Sequence, residues 1–399
     1  MSKLAPASSN QLLASLPEGW QRTKFGIEFQ ESNERNGDNP PGPLLSISEY
    51  RGVELNTRTD GQQPSADVSN YRVVRPNQLA ANMMWLNHGG LGVSDTTGYM
   101  SPAYKAFWIS DNFEPRYVHH LLRSQLYVGY FGAMGTGVRP NSQMVTKVVL
   151  DATPLPLPPL EAQRRIANYL DREIGRIDAV IDKLDGLASQ LIDRKSAFPD
   201  NTLSGLYGKK TVPLWSILEP VRDQGFPNEE VLSVYRDYGV IVKSFRDDNI
   251  NTTPENLNPY QLVLPGDVVI NKMKAWQGSL GVSEHRGIVS PDYQVARPKV
   301  ELHPRYIHSV LRAPRMISQY RNRSIGVRPA QWRLYWDEMS TLHIPLPPLE
   351  EQRRIATHLD EVASKIDAML AKVAQLKDLL TERRAALITD VVTGRKDVA

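Results

Sequence analysis

The sequence predicts an α+β protein. It should consist of two tandem mixed α/β domains, each followed by a long α-helix, with the two helices forming an intramolecular antiparallel coiled coil about a pseudo-twofold. Three observations predict this: an internal repeat, a doubled proline-rich stop, and two heptad-patterned segments. The 399 residues are enough for two or three domains. Shifted by 189, the halves align without a gap over more than 100 residues. Tyr71, Pro76, Asn82 and Met84 meet Tyr260, Pro265, Asn271 and Met273, and Leu91 to Ser94 meets Leu280 to Ser283. Gly137-Val138-Arg139-Pro140 meets Gly326-Val327-Arg328-Pro329. Upstream the match continues at a shift of 187, with Gly52-Val53 on Gly239-Val240. So long a period is a duplicated domain, not a solenoid.

The first globular part is expected over 1–157, its helix over 158–197, and a linker over 198–210. The second globular part follows over 211–346, its helix over 347–390, and a tail over 391–399. Within the globular parts many short strands are expected. Leu262 to Ile270 reads as a strand, a Pro-Gly-Asp turn and a second strand, which predicts a hairpin. Arg305 to Tyr320 reads as a helix kinked at Pro314.

The prolines Pro154 to Pro159 and Pro345 to Pro348 stop each globular part. In the helix that follows the second stop, Ile355, Leu359, Val362, Ile366, Met369, Val373, Leu376 and Leu380 alternate steps of four and three. The first copy keeps that register with Ile166, Leu170, Ile177, Val180, Leu184, Leu187 and Leu191, Glu173 being the exception. Each helix should be about 55–60 Å long at 1.5 Å per residue. A heptad stripe alone fits a dimer or bundle core as well as it fits pairing within the chain. The matched register in both copies favours pairing within one chain.

Composition narrows the function. Lys+Arg is 47 against Asp+Glu 44, so a polybasic tail is excluded but a locally basic face is not. Cysteine is absent, which removes thiol catalysis, cysteine zinc sites and disulfides. A cytoplasmic location is compatible with that. The N-terminus lacks a signal-peptide pattern, and no uncharged apolar run of about 18 residues predicts a membrane span.

Several motifs suggest enzymes and fail on inspection. Asp38-Asn39-Pro40-Pro41-Gly42 has glycine where a base-stacking aromatic residue would be needed, and reads as a surface turn. Gly205 to Thr211 lacks phosphate-loop spacing and reads as flexible linker. Asp292 lacks the acid-x-Lys partner of a nuclease, and the first copy has Ala103 there. His119, His120 and His308 read as surface or core histidines without a third metal ligand. No catalytic constellation and no metal site are expected.

The basic residues point to nucleic acid. From Arg305 to Arg333 there are seven arginines and no acid, and from Arg116 to Lys147 the first copy also lacks acids. Arginine and lysine neutralise phosphates, and arginine, asparagine and glutamine make paired contacts to base edges. Arg139 and Arg328 recur in both copies and are expected to position DNA. Asn141, Gln143, Lys272, Lys274, Gln331, Trp332 and Arg333 differ between copies and are candidates for base readout. Lys147, Trp276, Arg321 and Arg323 complete the candidate DNA-binding set.

The chain resembles the specificity subunit of type I restriction–modification enzymes. The resemblance rests on Leu16-Pro17-Glu18-Gly19-Trp20, Leu264-Pro265-Gly266-Asp267-Val268-Val269, Gly287 to Tyr293, and the doubled Pro-Leu-Pro-Pro-Leu-Glu-x-Gln-Arg-Arg-Ile-Ala. It implies two target recognition domains reading a split double-stranded DNA site, held apart by the helical spacer. It also implies adenine-methyltransferase and restriction/translocase subunits as partners. S-adenosylmethionine, ATP and Mg would sit on those partners, with no cofactor bound by this non-catalytic chain. Arg75-Pro76-Asn77-Gln78-Leu79 departs from the family's Pro-Gly-Asp, which puts the tight turn of the first copy in question. A coiled-coil docking protein without a DNA role is the alternative, and a single-chain methyltransferase or nuclease is a further one.

Overall fold

The computed structural model describes residues 13, 16–57, 67–136, 144–236, 238–245, 254–328 and 331–398. The chain divides into two units. The first comprises Met1–Leu184 with Gln375–Ala399, and the second Asp185–Ala374. Each unit therefore holds one globular body and a part of both long helices.

In the first unit an antiparallel four-stranded sheet runs in the order Phe29–Ser32, Tyr104–Ile109, Leu79–Asn82, Leu91–Val93. Both faces are buried. Leu79, Ala81 and Phe107 face the main core, and Ala80 and Ala106 face a smaller one with Leu45, Val74 and Met100. Three two-stranded ladders surround this sheet: Leu45–Ser48 with Gly52–Leu55, Arg72–Val74 with Gly98–Met100, and Gln21–Lys24 with Pro154–Leu157.

The second unit repeats this plan. Its sheet order is Leu218–Val221, Tyr293–Pro298, Val268–Asn271, Leu280–Val282. Val268 and Ile270 face the main core, and Val269 and Val295 the smaller one. The ladders are Leu232–Tyr235 with Gly239–Val242, Gln261–Val263 with Gly287–Val289, and Thr211–Pro213 with His343–Pro345.

The doubled motif has a structural cause. Gln163 is fully buried. Its amide donates to the carbonyls of Pro158 (2.8 Å) and Asn112 (2.9 Å), and its oxygen accepts from the Glu114 amide. Gln352 donates to Pro347 and accepts from His303 in the same way. One glutamine thus ties each proline stop, its long helix and the start of the Pro115–Leu122 or Pro304–Leu311 helix together.

Five expectations need correction. Leu262 to Ile270 is not a hairpin, because the strands before and after the turn pair in different sheets. The turn itself survives in both copies. Gly266 has φ +95° and Asn77 takes φ +65°, a conformation asparagine tolerates. Asp267 and Gln78 close the turn from the same position, accepting from the amides of Leu264 and Arg75. Pro314 does not kink one helix. It opens a second, Pro314–Arg323, at the first helical position, where a missing N–H costs nothing.

The expected linker 198–210 is mostly helix, since the first long helix runs from Leu160 to Tyr207 through Pro199. Leu203 is fully buried in the core of the second unit, with Phe198, Leu206 and Tyr207 packed against it. That packing outweighs the helix-breaking tendency of Pro199 and Gly205. The second long helix runs from Leu349 to Val392, and the expected tail begins inside a core. Val391 and Val392 are fully buried in the first unit, and the Tyr117 hydroxyl donates to the Val392 carbonyl. Val392 and Leu203 are repeat equivalents, so each body is closed by the same turn of the opposite repeat's helix.

The helix seam also shifts. Val180, Leu187, Met369 and Leu376 are 42%, 44%, 51% and 44% exposed and lie outside it. Their neighbours Ile181, Ala188, Leu370 and Lys377 turn inward instead. Ile174, not Glu173, fills the first copy's gap. A step of four in place of three keeps the stripe facing the partner. In the first unit Arg384 pairs with Asp178 at 3.1 Å, and in the second Lys195 pairs with Asp367 at 2.6 Å. These pairs are repeat equivalents and set an antiparallel register.

Candidate nucleic-acid interface

In the second unit the strand Val268–Asn271 delivers Lys272 to the surface. The Lys272 carbonyl accepts from the Leu334 amide (2.8 Å), and its ammonium donates to the Pro291 carbonyl (3.1 Å). Partial burial pushes the Lys272 ammonium below the usual lysine range, with Arg333 and Arg222 nearby adding to that. The short turn Ala275–Gln277 follows, flanked by exposed Lys274. The Trp276 indole donates to the Met273 carbonyl, and its ring meets Trp332 edge-on at 5.3 Å.

Trp332 belongs to a loop closed by paired backbone bonds between Ile325 and Arg333 (3.0 and 2.9 Å). Arg333 lies 3.9 Å from Asp292, and Arg328 and Gln331 are exposed. Arg321 and Arg323 end the helix Pro314–Arg323, with Arg323 bonded to Gln319 at 2.6 Å. The structure thus brings Lys272, Trp276, Trp332 and Arg333 together, with Lys274, Gln331 and Arg328 on the same loops. A cavity of about 770 Å³ adjoins them, lined in part by Ser233, Tyr260, Asn271, Lys274, Gln277 and Asp292.

The first unit closes the equivalent loop with bonds between Thr136 and Met144 (3.1 and 2.9 Å). Arg139, Asn141 and Gln143 fall within that loop, outside the described residues. Lys147 stands on the helix Lys147–Ala152, bonded to Asp151 at 2.7 Å. Where the second unit has Lys272, Lys274 and Arg333, the first has Met83, Trp85 and Met144. Trp85 and Met144 are about half exposed.

Several arginines of the two acid-free stretches hold the fold instead of facing a ligand. Arg123 donates to the carbonyls of Gly89 (2.9 Å), Leu91 (2.6 Å), Ser48 and Glu49. Arg312 does the same for Gly278 (3.2 Å), Leu280 (2.8 Å), Tyr235 and Arg236. Burial pushes the Arg123 guanidinium down to about 10, so it remains charged at neutral pH. Arg305 pairs with Glu284, and Arg315 stacks on Tyr207 at 4.6 Å. Sequence reasoning missed this role. The available signal was that Arg123 and Arg312 recur in both copies, as shared scaffolding does.

The histidines are scaffolding too. His119 Nδ1 accepts from the Val93 amide (3.3 Å), and His308 Nδ1 from the Val282 amide (3.4 Å). Each sits against glycines that leave no room for a side chain; a Cβ on Gly239 would lie 2.7 Å from the His308 ring. Burial pushes His308 down to about 4. The neutral form is therefore favoured on folding. Its contribution is complete above pH ~6.5 and is lost as pH falls towards 4. Between pH 7 and 5 the wild type should lose about 2 kcal/mol from this group. Urea titrations at the two pH values, compared with His308→Gln, check this; equal pH dependence in both proteins contradicts it. Among the described residues no His, Asp and Glu group is arranged to hold a metal, and no helix is long and apolar enough to cross a membrane.

Residues 226–378 match the model of the type I restriction modification DNA specificity domain. The matched stretch covers most of the second body and the first part of its helix. Among curated proteins, the StySPI specificity subunit of Salmonella potsdam is 26% identical over 47% of this chain and 43% of its own length. The EcoKI specificity subunit of Escherichia coli K12 is 24% identical over 46% of this chain and 42% of its own. The chain thus spans less than half the length of the curated relatives it matches. The fold of the whole chain resembles solved structures. A chain from work on assembly and conformational transition of the type I R-M system has a TM-score of 0.64 and 17% identity. It covers 96% of this chain and 100% of its own. The HsdS subunit from Thermoanaerobacter tengcongensis has a TM-score of 0.55 and 19% identity, over 96% and 98%. Within the matched stretch, the Lys272–Trp276 turn and the Trp332–Arg333 loop are among the parts that differ from the first repeat.

Proposed function

We propose that this chain is the DNA-binding specificity subunit of a type I restriction–modification complex. It reads a bipartite double-stranded site, one half with each unit, and directs adenine methylation and cleavage by partner subunits. The chain itself is non-catalytic and acts in the cytoplasm. S-adenosylmethionine, ATP and Mg belong to the methyltransferase and restriction/translocase partners. The observation that carries this reading is the contrast between repeat-equivalent loops. The same backbone positions hold Lys272, Lys274 and Arg333 in one unit; in the other they hold Met83, which turns into the core, and Trp85 and Met144, which are about half exposed. Cationic groups suit phosphates and guanine edges, whereas apolar groups suit the thymine methyl. Two bodies of one fold with different tips are built to read two different half-sites.

The test is a methylome. The chain is co-expressed with its methyltransferase subunit, and N6-methyladenine is mapped. A split motif with a fixed nonspecific gap is expected; modification at one uninterrupted site overturns the reading. Arg328→Ala should weaken DNA binding roughly tenfold at moderate salt, lower the salt slope by about 1 and leave the motif unchanged. A changed motif at unchanged affinity would sink its positioning role.

A further inference from the structure

Tyr50 lies on the turn between the strands Leu45–Ser48 and Gly52–Leu55 of the first unit. Its hydroxyl donates to Asp178 of the first long helix. Its ring carries the Arg384 guanidinium of the second long helix, 4.5 Å from the centroid. Arg384 and Asp178 also pair with each other at 3.1 Å. One side chain therefore engages both helices where their register is fixed. Burial and the Asp178 hydrogen bond push the Tyr50 phenol up to about 12, so it stays a donor at physiological pH.

The same turn is held from the other side. Arg123 bonds the carbonyls of Ser48 and Glu49, and also those of Gly89 and Leu91 beyond the loop that carries Met84 and Trp85. A continuous path of polar contacts thus runs from the helix pair through Tyr50 and Arg123 to the base of the recognition loop. His120 adds a second contact, to Asp171 at 2.8 Å. The second repeat carries other residues at these two positions. Its sequence has Asp237 in place of Tyr50 and Ser309 in place of His120, and its ion pair is Lys195 with Asp367.

We infer that Tyr50 is a positioning residue that sets the orientation of the first body on the helix pair, and through it the gap accepted between the two half-sites. This rests on the proposed split-site reading. The experiment measures methylation by the full complex on DNA whose gap is native, one base pair shorter or one base pair longer. Wild type, Tyr50→Phe, Tyr50→Ala and Asp178→Asn are compared, with Tm measured in parallel.

Tyr50→Phe and Asp178→Asn should raise methylation at the altered gaps, relative to the native gap, by roughly two- to fivefold. Tyr50→Ala should raise it further, and neither half-site sequence should change. An unchanged gap profile in all variants, whatever their Tm, overturns the inference and leaves Tyr50 merely stabilising. Tyr50→Phe retains the ring and keeps the test open if the alanine variant fails to fold. Failure of the split-site reading is separate, because wild type would then show no gap dependence at all.

Discussion

Arg312→Ala is expected to lower the stability of the second unit by about 3–5 kcal/mol. Arg123→Ala should do the same in the first. Each guanidinium satisfies carbonyls from two segments that pack side by side. For Arg312 these are the Tyr235-Arg236 turn and the Gly278–Leu280 loop. Removing the guanidinium leaves several partly buried acceptors unpaired. Lysine should not rescue, because a single ammonium cannot span the positions that the planar fork reaches. The check is the urea midpoint against Arg321→Ala, an exposed position where the change should stay within about 0.5 kcal/mol. A loss below about 1 kcal/mol for Arg312→Ala would show that the carbonyls find other partners.

Inserting seven residues between Asp178 and Lys195 should abolish modification of the original site. Asp178 and Lys195 are 17 residues apart, as are Asp367 and Arg384, and their two ion pairs join the helices. Lengthening one helix by two turns makes these spans unequal, so one pair and its buried neighbours must part. Matching insertions in both helices should restore modification, at a site whose gap is about three base pairs longer. That follows from 1.5 Å per helical residue and about 3.4 Å per base pair. Retention of the original gap by the single insertion would contradict a helical ruler. Methylome sequencing of the single and double variants reads both outcomes.

The pattern of the seam shows where sequence reading reaches its limit. A stripe of Ile, Leu and Val every three or four residues predicts a long paired helix and its register to within a residue. It does not choose between Val180 and Ile181, or between Met369 and Leu370, because both members of each pair are apolar. Only the facing helix decides which one turns inward. Lys195 and Arg384 read as ordinary surface charges, and the structure makes them the register pins. Lys272, Trp276, Trp332 and Arg333, which the sequence singles out by charge, aromatic rings and divergence between copies, lie together in the fold. Arg123 and Arg312 recur in both copies, but so do Arg139 and Arg328, and recurrence alone does not reveal which arginine faces a cluster of carbonyls.

By itself the sequence determined the duplication, the two bodies and the long helices. These are matters of periodicity, residue identity and local propensity, all written along the chain. The tertiary structure decided that the helix ends are core elements, with Leu203 closing one body and Val392 the other. It also decided which arginines hold the fold and that Tyr50 grips both helices. Those facts depend on groups from 32 to 77 residues apart for the two arginines, and over 300 for Tyr50 and Arg384, meeting at a few ångströms. Such meetings follow from the packing of whole elements, which no local pattern encodes.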